Sequence, residues 1–192
     1  MRNLGVLAGA LALAACGGGE SADNAGNVTA EPPAGITNAK VGLPANFNAT
    51  DACSILDRNV VAEVMGSEVK SAEVSTVTAP TDATAGFSNC TYTLANGLTP
   101  QFFARWSPTP DSTPAAAEET VKQAADLLGK TPEKVAGLKS PAWWVSGTNQ
   151  LHIFPDAQRY VFFTMFFSGV KPKPSDEQAK AWALGMAKRA GY

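Results

Sequence analysis

The sequence predicts an α+β domain in which an antiparallel sheet of about six strands packs with three helices. Three stretches carry apolar residues at the three- and four-residue spacing of a helix. The segments between them alternate apolar and polar residues and are separated by turn sequences such as Asn96-Gly97, as in strands joined by hairpins. An antiparallel sheet with helices on one face is the architecture that we expect from this order.

The first helix is predicted over residues 51–65. Asp51 and Asp57 are suited to cap successive turns, and Gly66 is suited to the left-handed position that ends a helix. An alternating segment over 67–78 predicts the first strand. Two more strands follow, one starting near Cys90 and one over 100–106, and they form a hairpin around Asn96-Gly97.

The second half of the chain repeats the order of helix and strands. Thr113 and Pro114 begin a helix that ends before Gly129, and 131–140 is predicted to be an irregular connection because it contains two glycine or proline breaks. Three short strands and a final helix capped by Ser175 follow, the strands lying at residues 142–146, 150–154 and 158–167. A doubled α-β-β-β unit matches this order, although no residue-level repeat supports a duplication.

The N-terminal segment resembles a bacterial lipoprotein signal. Arg2 precedes an apolar run that is too short to span a bilayer, and the run closes on Leu13-Ala14-Ala15-Cys16. The resemblance implies that residues 1–15 are a signal peptide and that Cys16 becomes the mature N-terminus, carrying diacylglycerol and an acyl chain such as palmitate. An ordinary secretory signal with a chance cysteine is the alternative.

Residues 16–49 are predicted to be the lipidated cysteine and a flexible tether, and 50–192 a single globular domain. The tether contains glycine and proline clusters and few apolar side chains, so it cannot offset the entropy of ordering. A flexible coil of this length spans roughly 30 Å. The residue after the cysteine is Gly17, whereas an Asp at this position resembles the inner-membrane retention signal of Gram-negative lipoproteins. We therefore expect a location in the bacterial envelope, at the outer membrane if the cell is Gram-negative.

Composition limits the classes of partner. The chain is 45% hydrophobic and 17% charged, and removal of Arg2 with the signal changes its formal net charge from −2 to −3. That balance argues against nucleic acid and against an anionic lipid surface as the main partner. The expected membrane contact is the N-terminal lipid.

The cysteine count predicts one disulfide. Three cysteines are present, and assigning Cys16 to the lipid leaves Cys53 and Cys90 in an oxidising compartment. Two free thiols or a metal pair are the alternatives, but His152 is the only histidine and there is no C-x-x-C, so a metal site has few ligands.

The domain also resembles a group of uncharacterised bacterial envelope lipoprotein domains. The resemblance is carried by Asp51-Ala52-Cys53 with Leu56, by Cys90-Thr91-Tyr92, and by Val135-Ala136-Gly137-Leu138 with Trp144. Lys139 stands where the group has a glycine. The group's fold is similar to extracellular sensor domains of receptor kinases, and the resemblance implies no enzymatic activity and no catalytic residue.

Motifs that suggest catalysis lack their companions. Ser67-Glu68-Val69-Lys70 matches S-x-x-K, but it enters a strand, where its Ser and Lys point to opposite faces. His152 is the one histidine that a Ser-His-Asp arrangement could use, and no G-x-S-x-G turn accompanies it. We therefore expect neither an enzyme nor a bound cofactor or metal.

Residues 160–167 form an unusual strand because both of its faces are apolar. A central strand covered on both sides explains the pattern, and so does an uncovered aromatic face. Our hypothesis is that Phe163, Met165 and Phe167 line a face that binds an envelope protein, an apolar ligand or a second copy of the chain.

These observations favour a lipid-anchored, non-catalytic binding or interaction module of the cell envelope. The alternatives are an envelope hydrolase with an unrecognised site and a structural lipoprotein of envelope assembly. A cleft with convergent polar groups would favour the hydrolase, and an open apolar sheet face would favour the binding module.

Overall fold

The computed structural model describes residues 47–192, all of which lie in one compact unit. Three helices and a seven-stranded antiparallel sheet confirm the α+β class. The predicted signal peptide, Cys16 and the predicted tether up to residue 46 lie outside the described residues. Phe47 and Ala49 are already buried in the core, so the packed part of the chain includes the last residues assigned to the tether.

The first predicted helix is divided into a 3-10 turn, Ala52–Ser54, and helix α1, Arg58–Met65. Both predicted caps are present. The Asp51 side chain accepts a hydrogen bond from the Ser54 backbone N–H, and Asp57 accepts one from the Asn59 N–H. Gly66 ends α1 with φ of 63°, the left-handed conformation that glycine adopts without a steric penalty.

Helices α2, Pro114–Asp126, and α3, Asp176–Arg189, begin where the sequence predicts. Proline occupies the first position of α2, and Ser175 caps α3 by accepting a hydrogen bond from the Gln178 N–H. Gly185 brings α3 close to α1, because a Cβ at this position would lie 2.9 Å from a Val64 methyl carbon. The glycine therefore permits the approach of the two helices.

The seven strands include the six expected and one that the sequence does not reveal. Strand β4 lies within the connection that is predicted to be irregular. It has only three residues, which is too few for alternation to be recognised. The strands are β1 Val69–Thr78, β2 Gly86–Leu94, β3 Gln101–Trp106, β4 Glu133–Val135, β5 Ala142–Val145, β6 Gln150–Ile153 and β7 Arg159–Thr164.

The sheet joins two meanders through its central pair. The strand order is β1-β2-β3-β7-β6-β5-β4, and every neighbouring pair is antiparallel. Strands β3 and β7 pair from Gln101 opposite Thr164 to Trp106 opposite Arg159. Strand β7 is therefore central, and its residues stand in rows that cross most of the sheet.

Helices α1 and α3 cover one face of the sheet, which we call the sealed face. One row of paired residues on it is entirely buried: Cys90, Phe102, Phe163, Leu151 and Trp144. This row lies in the main hydrophobic core together with residues of both helices, such as Val61 and Ala183. Burial of this face is the main source of the domain's stability.

Helix α2 packs on the opposite face, so the expectation that all helices share one face is wrong. Ala117, Val121 and Ala125 form a second, smaller core with Trp143, Val145 and Phe154. Strand β5 is buried on both sides as a result. A symmetric duplication about the antiparallel β3–β7 pair would place α1 and α2 on the same face, so the repeated order of elements is not a symmetric repeat.

Candidate functional site

The Cys53–Cys90 disulfide is present and joins the N-terminal 3-10 turn to strand β2. The two Cα atoms are 5.0 Å apart, and the sequence separation is 37 residues. Beside it, the Tyr92 hydroxyl donates a hydrogen bond of 2.6 Å to the Leu56 carbonyl, and Ser88 accepts one from the Ala52 N–H. These contacts attach the start of the domain to the sealed face, so the disulfide has a structural role.

Phe163, Met165 and Phe167 do not form the exposed face that the sequence predicts, because the Phe163 and Met165 side chains belong to the main core, while Met165 and Phe167 also line the groove described below. Phe163 and Met165 have exposed fractions of 0% and 1%, and Phe167 is partly buried against the same core. Alternation along β7 was recognised correctly, but helices α1 and α3 cover the side that had been assigned to binding. The partly exposed aromatic side chains are their strand neighbours, Tyr160 and Phe162.

The other side of the sheet, which we call the half-covered face, carries an array of aromatic rings. Helix α2 covers it at β5 and leaves Phe87, Phe103 and Phe162 only partly buried. The ring centroids of Phe103 and Phe162 are 4.6 Å apart in a stacked arrangement, and those of Phe87 and Phe103 are 5.8 Å apart. The array continues through His152, Tyr160 and Phe154 under the edge of α2.

A polar row runs beside these rings on the same face. Thr91, Gln101, Thr164 and Gln150 are paired across β2, β3, β7 and β6. Gln101 donates from Nε2 to the Thr91 hydroxyl at 3.1 Å, and Gln150 donates to the Thr164 hydroxyl at 3.2 Å. The Asn89 side-chain amide donates a hydrogen bond to the side-chain Oε1 atom of Gln101 at 3.0 Å. These side chains are held in place by one another, while Asn89 Oδ1 is buried with no hydrogen-bond partner in residues 47–192.

The buried His152 and the partly exposed Tyr160 form a polar pair at the boundary between the covered and open parts. His152 Nδ1 and the Tyr160 hydroxyl are 2.5 Å apart, and His152 Nε2 is buried with no partner among the described residues. Burial lowers the pKa of His152 to about 4 and raises the pKa of the Tyr160 hydroxyl well above its usual range. Both side chains are therefore uncharged near neutral pH.

Arg105, which pairs with Tyr160 across β3 and β7, has its charge neutralised by an acidic partner. Arg105 faces Asp111 with two hydrogen bonds, of 2.9 and 2.5 Å. The hydrogen bond from Arg105 holds the pKa of the Asp111 carboxyl below its usual value, and the same bond raises the pKa of Arg105. This bidentate pair fixes the Arg105 side chain at the rim of the aromatic array.

The S-x-x-K residues have structural roles. Ser67 Oγ accepts a hydrogen bond from the Asn96 backbone N–H, and Lys70 forms an exposed ion pair with Glu68 at 2.7 Å. Ser67 precedes β1 and Lys70 lies within it, so they do not occupy the one-turn helical spacing of the penicillin-binding motif. Among residues 47–192, no group of three or more His, Cys, Asp or Glu side chains is placed to hold a metal ion.

A groove of about 440 Å³ adjoins the polar row at the edge of the sheet where β6 begins and β7 ends. Gln150 and Thr164 contribute to both, and the β5–β6 turn, residues 165–168 and Lys173 also line the groove. Asn149 in that turn has φ of 53° and donates to the Met165 carbonyl, which fixes the turn against the end of β7. The half-covered face and the groove therefore form one continuous surface.

Comparison of the chain with protein-family models, with curated proteins and with solved structures finds no match. In the part of the chain that the structure describes, no helix is long and apolar enough to cross a bilayer. Inference about function therefore depends on the surface itself.

Sequence reasoning did not identify the half-covered face as a site. Phe103 is predicted only as a member of the strand over 100–106, and Phe87 precedes the strand that is predicted to start near Cys90. The pairing of Phe103 with Phe162 joins two strands that are distant in sequence, and local alternation does not encode that pairing. The Asn96-Gly97 turn was the one signal that placed β2 and β3 together.

Proposed function

We propose that the protein is a lipid-anchored, non-catalytic binding or interaction module of the bacterial cell envelope. The anchoring part of this proposal is supported by the Leu13-Ala14-Ala15-Cys16 pattern and by the disulfide, which is typical of exported proteins. The resemblance to two-cysteine envelope lipoprotein domains supports the same assignment.

One observation carries the binding part of the proposal: the partly exposed array of Phe87, Phe103 and Phe162. A sheet face that is not covered leaves apolar rings in contact with water, and covering them with a partner is favourable. The neighbouring amides of Gln101 and Gln150 are already ordered by hydrogen bonds, so a partner need not pay for their immobilisation. This surface is suited to binding without a change of fold.

The environment of the single histidine favours binding over catalysis. A general base must come within hydrogen-bond distance of a substrate proton and titrate near the working pH. His152 has an exposed fraction of 3% and a pKa lowered to about 4, and its Nδ1 atom forms a hydrogen bond with the Tyr160 hydroxyl. These properties are typical of a histidine with a structural role in a packed aromatic cluster.

Site-specific photocrosslinking in the envelope of producing cells tests the binding surface. A photoreactive phenylalanine at Phe103 or Phe162 is expected to form a discrete crosslinked product. The matched control is the same photoreactive residue at Val74. This exposed position pairs with Cys90 across β1 and β2, so it lies on the same side of the sheet as the sealed face. No product from the half-covered face, or equal products from all three positions, would contradict the proposal.

Metabolic labelling with a tagged fatty acid tests the anchor separately. The wild-type chain is expected to be labelled, and the Cys16→Ser chain is expected to remain unlabelled, because the thiol is the acceptor of the diacylglycerol. Equal labelling of both chains would exclude Cys16 as the modified residue.

A further inference from the structure

Large apolar side chains are exposed at one end of the domain, beyond the half-covered face. Five such side chains are exposed among the described residues, and three of them lie in two segments, at the end of α2 and just after β7. Leu127 is 87% exposed, and Leu128 and Phe166 are each 44% exposed. The remaining two, Val74 and Val77, belong to the edge strand β1.

The two segments meet at the β5–β6 turn. A Cβ built on Gly147 would lie 3.4 Å from the Leu128 Cδ1 atom and 3.7 Å from Lys130 Cε. Gly147 also lines the groove that contains Phe166 and Lys173. Leu128, Lys130, Phe166 and Lys173 therefore surround the β5–β6 turn, and the exposed Leu127 directly precedes Leu128 at the end of α2. We call these five residues the end surface.

The end surface is positively charged although the chain as a whole has a formal net charge of −2. Two carboxylates near it in the sequence are taken up by other lysines: Asp126 pairs with Lys122 at 3.1 Å, and Glu133 pairs with Lys180 at 2.5 Å. Within residues 47–192, Lys130 and Lys173 take part in no ion pair. Their charges are therefore available to an anionic partner.

We propose that the end surface docks onto an anionic lipid bilayer. Exposed leucine and phenylalanine side chains flanked by lysines are the composition of surfaces that lie in the membrane interface. The apolar side chains enter the boundary between head groups and acyl chains, and the lysine ammonium groups contact lipid phosphates. The charge complementarity and the prominence of Leu127 favour a bilayer over a folded protein partner.

This contact is separate from acylation of Cys16 and adds a second membrane attachment. A tethered domain samples many orientations, whereas docking through the end surface selects one. Gln150 and Thr164 line the groove of the end surface and also belong to the polar row, so that row adjoins the membrane in the docked orientation. The half-covered face then extends away from the lipid.

Vesicle sedimentation tests the proposal without the acyl chain. The protein used begins at residue 16, is exported behind a general signal peptide that is removed, and carries Cys16→Ser. Residues 1–15 and the acyl chains are left out because either would bind vesicles by itself. We expect binding to vesicles of phosphatidylglycerol mixed with phosphatidylcholine, weakened by salt. Lys130→Gln and Lys173→Gln should each weaken it about fivefold. Leu127→Ser should weaken it by about tenfold or more.

Two control variants lie outside the end surface and should bind as the parent chain does. Val77→Ser removes an exposed apolar side chain from β1, and Lys139→Gln removes a lysine from a separate groove beside Phe47 and Arg159. Circular dichroism checks that Leu127→Ser is folded, as its exposure leads us to expect.

Three outcomes would overturn the proposal: no sedimentation of the parent chain, equal binding to pure phosphatidylcholine vesicles, or equal losses in the control variants. Loss of binding in the lysine variants with none in Leu127→Ser would also overturn it, because adsorption would then be purely electrostatic and the exposed apolar side chains would not enter the bilayer.

Discussion

Two neighbouring rows of the sheet differ by one position in each strand and yet differ in burial. On the sealed face, Cys90, Phe102 and Phe163 are completely buried beneath the 3-10 turn and the two helices. On the half-covered face, their chain neighbours Asn89, Phe103 and Phe162 remain partly in contact with water. Both rows have phenylalanine on β3 and β7, so hydrophobicity at these two positions does not explain the difference.

The difference lies in which helix covers each row. Helices α1 and α3 together cover the sealed face, whereas α2 alone covers the other face and contacts it mainly at β5. Rings without a helix above them stack on one another instead, and the amides beside them form hydrogen bonds with their neighbours. We therefore expect substitutions on the sealed face to affect stability and substitutions on the open part to affect binding.

The largest expected effect is that of Phe163→Ala on the sealed face. Phe163 is fully buried, with its ring centroid 4.9 Å from that of Phe102. Removing the ring leaves a cavity and should lower the free energy of unfolding by about 3 to 5 kcal/mol. The thermal midpoint should fall by roughly 10 °C, which calorimetry measures. An unchanged midpoint would show that this face is not the core.

Loss of the disulfide should be the next largest effect. We expect Cys53→Ala combined with Cys90→Ala to lower the free energy of unfolding by about 2 to 4 kcal/mol, mainly because the unfolded chain gains freedom. Urea denaturation measures the loss. Wild-type protein in reductant serves as the control and should approach the double variant. Insensitivity of the wild type to reductant would contradict a stabilising role.

Acid should lower the free energy of unfolding of the domain through protonation of His152, which lies on the half-covered face. Its pKa is lowered to about 4 in the folded domain by burial, so protonation favours the unfolded chain. The stability contributed by the neutral His152 is retained at pH values above its pKa in the unfolded chain, and it is lost as the pH falls toward its pKa in the folded domain. We expect a loss of about 2 kcal/mol between pH 7 and pH 5.

Urea denaturation of the wild type and of His152→Gln at both pH values isolates this contribution, since carboxyl groups titrate alike in the two chains. The variant should lose less stability than the wild type over the same interval. Identical losses would show that His152 is not responsible.

The smallest expected effect is that of Phe162→Ala, the matched control for Phe163→Ala on the same strand. Phe162 is partly exposed and stacks on Phe103. Its removal should cost about 1 kcal/mol and lower the thermal midpoint by roughly 2 to 4 °C. A cost equal to that of Phe163→Ala would mean that the two faces are equally sealed.

The incorrect choice of binding face has a simple cause. Residues 160–167 are apolar on both sides, and alternation correctly separates Phe163 from Phe162 without indicating which side a helix will cover. Helix α2 likewise has a clear apolar stripe, but nothing in the stripe specifies the face of the sheet on which it packs. Both questions concern contacts between segments that are distant in sequence.

The sequence by itself determined the local elements: the α+β class, the caps at Asp51, Asp57 and Ser175, the turn at Gly66, and the cysteines available to form a disulfide. These features depend on residues within a few positions of one another, where spacing and backbone preference act directly. Only the tertiary structure decided the short strand β4, the position of α2 and the exposure of Phe103 and Phe162. Burial depends on which distant segment packs above a residue, and local spacing does not specify that segment.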